Sequence, residues 1–222
     1  MKEEYNTENS TTFAKLLASN ATMPSTELAT ASNNSPAATA IIVTLLVFIS
    51  LMSVFGNALV LIAIYINYNL RTTGNFLFGN LALSDFLQGG IAIPCRLVEL
   101  LYMDCNYPVF CPTSIALSIL FGGSSNLSVL FISIERFVGV RWPFLYYTYM
   151  TTKNVVAVII SAWIALAIFA SLPLFAWGGL TNHEATFCRF PLFLSTDYII
   201  ALYMLVHIIP ICVIVQIGRA HV

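Results

Sequence analysis

The strongest constraint on this chain is where its charges are missing. No Asp, Glu, Lys or Arg lies between Glu27 and Arg71, between Asp104 and Glu135, between Lys153 and Glu184, or between Asp197 and Arg219. The interval from Arg71 to Arg96 holds one, Asp85. Each gap contains an apolar run near or above the ~20 residues that a helix needs to cross ~30 Å of hydrocarbon. The spans expected from these runs are 39–66, 75–101, 109–138, 154–176 and 197–216. The runs lack strict alternation and are about twice too long for barrel strands, which excludes a membrane β-barrel. The expected fold is therefore an all-α membrane protein, an up-down bundle of five transmembrane helices.

Composition supports this. The 222 residues are 59% hydrophobic and 9% charged, with a mean hydropathy of +0.86, whereas a soluble domain carries about 25% charged residues. So few charges cannot solvate a water-facing surface, and the bilayer is the expected partner over most of the chain. A net charge of -1 and a pI of 6.3 lack the basic patch that nucleic-acid binding requires, so no nucleic acid is expected.

Residues 1–38 differ in kind, being rich in Ser, Thr, Asn and Ala. They carry three glycosylation sequons, at Asn9, Asn20 and Asn33. Any one could arise by chance in such a composition; three together favour a lumenal, glycosylated extracellular tail, expected to be disordered. No apolar run follows Met1, so the first span is expected to act as the signal anchor. With the N-terminus outside, the inner loops hold Arg71, Arg136, Arg141 and Lys153. The outer loops then hold Glu99, Asp104, Glu184 and Asp197 against Arg96 and Arg189. This bias matches the positive-inside rule. Cys105, Cys111 and Cys188 fall on the outer side, where a disulfide can persist, while Cys95 and Cys212 fall within spans and read as packing residues.

An ionisable residue inside a span is a functional candidate, because burying it costs about 2.5–3.5 kcal/mol even on the lenient insertion scale. Asp85 is the acid singled out on this ground. It lies about ten residues into its span, roughly 15 Å deep at 1.5 Å per residue. Asn57 lies about ten residues before the inner end of the first span, and Ser125 eleven before Arg136, so all three are expected at one depth. An acid, an amide and a hydroxyl there can form a hydrogen-bonded cluster or hold Na⁺ on Asp85 and Ser125 with waters; the alternative is polar glue between helices. No other metal or cofactor is expected. Cys111 stands 25 residues before Arg136, roughly 38 Å of helix, so the two reach opposite surfaces. Cys188 is then the expected disulfide partner of Cys111, a free thiol being the alternative. Glu135-Arg136-Phe137 sets an acid beside a base at the inner end of the third span. Paired, they are cheaper to half-bury; separated, the Arg is free to bind elsewhere, as a switch requires. The alternative is two snorkelling interfacial charges.

Together these residues resemble the class A (rhodopsin-like) G-protein-coupled receptor family over about residues 40–216. Gly56-Asn57-Ala58-Leu59-Val60 is similar to the family's first-helix motif, and Leu81-Ala82-Leu83-Ser84-Asp85 to the second, with Pro94 as its later kink. Cys111, Ser125 and Glu135-Arg136-Phe137 match the third-helix spacing. Trp163, Cys188 and Pro210 match the fourth helix, the outer loop and the fifth helix. The resemblance implies a plasma-membrane receptor with an extracellular N-terminus that binds a small extracellular ligand and activates a heterotrimeric G protein. It implies a sodium and water network at Asn57, Asp85 and Ser125, and G-protein contact by Arg136, assisted by Pro143 and Phe144 in the second inner loop. Phe137 stands where many members have Tyr.

For the ligand, the resemblance implies a pocket at Ser118, Ile119, Gly122, Phe190, Tyr203 and His207. Amine receptors carry an Asp 18 residues before the motif Arg; Ser118 stands there, so a small, largely uncharged ligand is expected instead. Phe190 resembles the aromatic that stacks on ligand in adenosine and melatonin receptors, and Ala92-Ile93-Pro94 and Pro173-Leu174-Phe175-Ala176-Trp177 are similar to adenosine receptors. The stretch from Tyr198 to Pro210, with His207, is similar to melatonin receptors. A lone intramembrane His is otherwise a satisfied interhelical contact. Residues 217–222 do not continue the helix pattern, resemble a translated sequencing adapter, and are expected to be non-native. Without a sixth helix the fragment alone is expected not to signal. The competing readings are a transporter or channel, which needs a polar path or broken helices at mid-membrane, and a truncated, non-signalling regulatory membrane protein. An enzyme is not expected, since no metal-ligand cluster or nucleophile–base arrangement is present.

Overall fold

A computed structural model describes residues 36–101, 110–175 and 194–219. The chain divides into two units, Met1–Thr44 and Leu45–Val222. The first is described only from Pro36, as the opening turns of a helix. Among the described residues six helical elements follow one another: α1 Pro36–Ile66, α2 Thr73–Leu101, α3 Phe110–Arg141, the short α4 Pro143–Tyr149, α5 Thr152–Phe175 and α6 Thr196–Arg219. A 3₁₀ turn, Tyr68–Leu70, joins α1 to α2. No strand occurs among the described residues. All but α4 are long and apolar enough to cross a membrane, five in all among the described residues.

Two differences from expectation concern boundaries. The loop after the third span contains a helix, α4, opened by Pro143 in its first turn, where the missing N–H costs no hydrogen bond. At the other end, Ile217, Gly218 and Arg219 continue α6, which corrects the expectation that the helix stops at 216. A single Gly lowers helix propensity by about 1 kcal/mol but does not by itself break a helix, and the apolar run before it carries the last turn.

The starts of α2 and α5 share one device. Thr72 precedes α2 and its hydroxyl accepts from Asn75 N at 3.4 Å; Thr151 precedes α5 and accepts from Asn154 N at 3.4 Å. Each Asn then donates its amide back five residues, to Leu70 O and to Tyr149 O, both at 2.8 Å. The repeated Thr-Thr-x-Asn at 72–75 and 151–154 thus satisfies orphan helix donors and ties each loop to the helix it enters.

Two of the prolines inside helices, Pro94 and Pro210, share another. Pro94 in α2 follows a π-helical turn at Gln88–Ala92, and Pro210 in α6 follows one at Met204–Ile208. The residue before each proline donates five back, Ile93 N to Gln88 O and Ile209 N to Met204 O. A proline ring clashes with the carbonyl four residues earlier; the wider turn relieves that clash without ending the helix.

The buried apolar cluster lies where α3, α5 and α6 meet, with Ile115, Ile119, Leu166, Ala170, Tyr198, Leu202 and Val206 among its members. Tyr198 is fully buried; its hydroxyl donates to Phe169 O at 3.0 Å and its ring stacks on Phe169 at 5.0 Å.

Candidate functional sites

The expected mid-depth layer forms between α2 and α3. The Ser125 hydroxyl donates to Asp85 Oδ1. Asn57 does not join them directly, which corrects the picture of three side chains in mutual contact. Its Nδ2 donates to Ser53 O in its own helix at 2.8 Å, and Ser53 Oγ donates to Asp85 O at 2.7 Å. Ser53 thus ties α1 to the backbone of α2 at Asp85 and leaves the carboxylate to Ser125. One turn on, Ser50 Oγ donates to Gly89 O at 2.7 Å. A Cβ on Gly89 would stand 2.8 Å from Ser53 Cβ and 3.1 Å from Ser50 O, so this approach of α1 to α2 requires glycine.

A second polar cluster, which sequence reasoning missed, centres on Asn80. Its Oδ1 accepts from Trp163 Nε1 at 2.9 Å and its Nδ2 donates to Ser128 Oγ at 2.7 Å, so one amide joins α2, α3 and α5. The buried Ser84 hydroxyl lies 2.8 Å from that of Ser124. The signal was present: Asn80 is an amide five residues before Asp85 in the same apolar run, and such a group must find a partner away from lipid.

At the Arg136 end, Glu135 is 3% exposed. Its Oε1 accepts from the Tyr146 hydroxyl at 2.7 Å, and its Oε2 lies 3.3 Å from Arg136 Nε. The Arg136 side chain is largely exposed and its guanidinium packs over the Phe78 ring at 5.7 Å. Phe137 meets Trp142 edge-on at 5.5 Å. Tyr146 was not foreseen, because nothing in its spacing from Glu135 shows that α4 folds back on α3. The bond to Glu135, and then burial, push the Tyr146 phenol above its usual pKa. Pro143 opens α4 and Phe144 is 88% exposed, so α4 presents an aromatic outward while Tyr146 grips the acid inward.

Near the other end of α2, Arg96 and Glu99 correct a second expectation. They are not loop charges: both lie in the last turns of the helix, and Glu99 is 8% exposed. Arg96 pairs with Glu99 at 2.6 Å, and the Ser114 hydroxyl of α3 also donates to the acid. Asp85 is therefore not the sole acid within a span.

The residues expected to line a ligand pocket do not all converge. Ser118 spends its hydroxyl proton on Ser114 O at 2.9 Å. Ile119 is buried in the apolar cluster. A Cβ on Gly122 would meet Gln88 Oε1 at 3.9 Å, ordinary contact. Tyr203 is exposed, and its ring packs beside His207 at 5.3 Å. His207 is not the satisfied contact that a lone intramembrane His suggests: its Nδ1 is buried without a hydrogen-bond partner. Cys95 is a free, half-buried thiol; Cys212 is free but exposed, so it does not pack as expected. Phe190, Cys188, Asn9, Asn20, Asn33 and the side chain of Cys111 lie outside the described residues, as does the expected disulfide. No group of three metal-binding His, Cys, Asp or Glu occurs among the described residues.

Comparison with known proteins agrees with this arrangement. The family model described as "7 transmembrane receptor (rhodopsin family)" matches residues 56–217. The human alpha-1D adrenergic receptor is 31% identical over 139 residues, covering 62% of this chain and 24% of the relative. The Sus scrofa alpha-1D adrenergic receptor is 34% identical over 140 residues, covering 62% and 24%. The 5-hydroxytryptamine receptor 2B of Dichotomyctere fluviatilis is 29% identical over 143 residues, covering 63% and 30%. The chain thus matches between 24% and 30% of the length of these curated relatives. Their names do not support the expected likeness to adenosine or melatonin receptors. With five apolar helices, a buried acid beside an exposed arginine, and the family match over most of its length, this multi-pass membrane protein belongs to the rhodopsin-like family of seven-transmembrane receptors.

Proposed function

We propose that the full-length protein is a plasma-membrane receptor, with its N-terminus outside, that binds a small extracellular ligand and activates a heterotrimeric G protein. The observation that carries this reading is the Glu135 site. A buried carboxylate accepts a hydrogen bond from Tyr146 on one oxygen and lies 3.3 Å from Arg136 Nε on the other, which has no hydrogen-bond partner, with most of the Arg136 side chain in the open. Releasing Arg136 leaves Glu135 with the hydrogen bond from Tyr146 but without its countercharge, which makes separation costly and holds the arginine in place until a partner compensates for the loss. Phe144, exposed on α4 beside it, supplies an apolar contact for the same partner. Asp85 and Ser125 offer hard oxygen donors suited to an allosteric Na⁺; they would hold the ion, which would supply a positive charge at mid-membrane.

The ligand is read as small and uncharged. Several relatives are named as adrenergic or 5-hydroxytryptamine receptors, yet Ser118 stands where amine receptors carry an acid, and its hydroxyl proton is committed to Ser114. Kinship of sequence and ligand class need not travel together. The test is G-protein activation by the full-length protein in cells. Arg136→Ala is expected to abolish coupling while surface expression persists; unchanged coupling would remove Arg136 from the role given to it. A response to protonated amines stronger than to their neutral analogues would overturn the uncharged-ligand reading.

A further inference from the structure

A cavity of about 230 Å³ lies beside Glu135, walled by α2, α3, α4 and α5. Its floor includes Leu77, Glu135 and Val155, each 5% exposed or less; its mouth includes the exposed Tyr149, Asn154 and Val158. Val158 shares a face of α5 with the exposed Ser161 and Ala165, and Ile160, Ile164 and Ile168 of the same helix are exposed as well. The mouth therefore opens where the lipid-facing surface of α5 meets polar residues at the membrane boundary.

We propose that this cavity holds one acyl tail of a membrane phospholipid, an inference that rests on the bilayer placement of the bundle. Its walls are almost wholly apolar, and an apolar void left empty forfeits the dispersion contacts of its lining. It is smaller than the ~300–1,000 Å³ of pockets that enclose whole drug-sized ligands, and it opens sideways, so it takes the end of a chain whose remainder lies in the bilayer. The source is a phospholipid and not a free fatty acid. Among the described residues no cation lines the cavity, and its buried carboxylate, Glu135, would repel an acid group drawn in toward it. The tail would pack Tyr149, the last residue of α4, against α3 and α5. Because α4 also carries Tyr146, the lipid would steady the hydrogen bond on Glu135, and the bilayer would take part in setting the switch.

The test is photolabelling of the full-length protein in nanodiscs of phosphatidylcholine bearing a diazirine on one acyl tail, with adducts mapped by peptide mass spectrometry. Adducts are expected on Leu77 and Val155, which annular lipid cannot reach, as well as on Ile160, Ile164 and Ile168. V158W plugs the mouth at an exposed position and should lose the interior adducts while keeping the outer ones; V155F, filling the cavity from within, should do the same. Adducts confined to the outer row, or interior adducts that survive both substitutions, would overturn the proposal. So would interior labelling by a diazirine fatty acid but not by the phospholipid. Loss of labelling at both sets in the unsubstituted protein would overturn the bilayer placement as well.

Discussion

Helices α1 and α3 are nearly equal in length, 31 and 32 residues, and both are free of charge over most of their course, yet they relate to the molecule in opposite ways. No residue of α1 is buried. Helix α3 buries Ser114, Ile115, Ile119, Phe121, Ser124, Ser128 and Glu135. The hydroxyls of Ser50 and Ser53 in α1, and the Asn57 amide, go to backbone carbonyls. In α3, Ser125 meets Asp85 and Ser128 meets Asn80, side chain to side chain. Lipid tails are as apolar as leucine, so hydrophobicity cannot decide which helix touches which; small and polar residues do. An apolar run reports contact with lipid, and the interruptions report contact with protein.

Substitutions can break this contrast. The largest effect is expected at glycine. A Cβ on Gly123 of α3 would lie 2.9 Å from Leu166 Cδ2, whereas one on Gly56 of α1 meets nothing within 4 Å. Gly123→Val should destabilise by about 1–3 kcal/mol, as overpacking does. Gly56→Ala should be neutral or stabilising by up to about 1 kcal/mol. Melting of the two proteins in detergent compares them, and a similar loss in both would erase the distinction between the helices.

An intermediate effect is expected at the two amides. Asn80→Leu removes the partner of both Trp163 and Ser128 and should cost about 0.6–1.7 kcal/mol, the range of interhelical hydrogen bonds in membranes. Asn57→Leu removes a bond to its own helix and should cost less. Equal costs would show that α1 is held by Asn57 after all.

The smallest effect is expected at the Glu135 end. Tyr146→Phe should cost about 0.5–1.5 kcal/mol, one net hydrogen bond, and its pH dependence sharpens the assignment. The phenol's pKa is raised in the folded protein, chiefly by donation to Glu135. Its contribution is therefore complete below the ordinary value of about 10 and disappears as pH rises through the raised value. The difference in stability between the unsubstituted protein and the Tyr146→Phe variant should hold constant up to about pH 10 and close above it. Closure at lower pH would place the tyrosine elsewhere than on the acid.

Much of the architecture could be read along the chain. Charge-free runs announced five spans, and counting at a fixed rise per residue put Asp85 and Ser125 at one level, where they touch. Counting failed wherever the answer depended on rotation about a helix or on the path of a loop. It did not show that Asn57 turns back on its own helix, that Glu99 is buried against Ser114, or that the Asn80 side chain joins α2 to both α3 and α5. It could not place Tyr146, because α4 takes its direction from the helix it packs on. The His207 imidazole shows the same limit: sequence offered a satisfied contact or a ligand donor, and the fold left its Nδ1 buried and unpartnered.

What the amino-acid sequence determined by itself was therefore composition along the membrane normal: how many helices cross, where each begins, and which polar groups share a depth. The tertiary structure alone decided what those groups face. The reason is physical. Rise per residue is a local property, set by each helix's own hydrogen bonds, so depth follows from counting. Azimuth and partner are collective properties, chosen by which small and polar surfaces can pair once lipid has made the apolar ones equivalent.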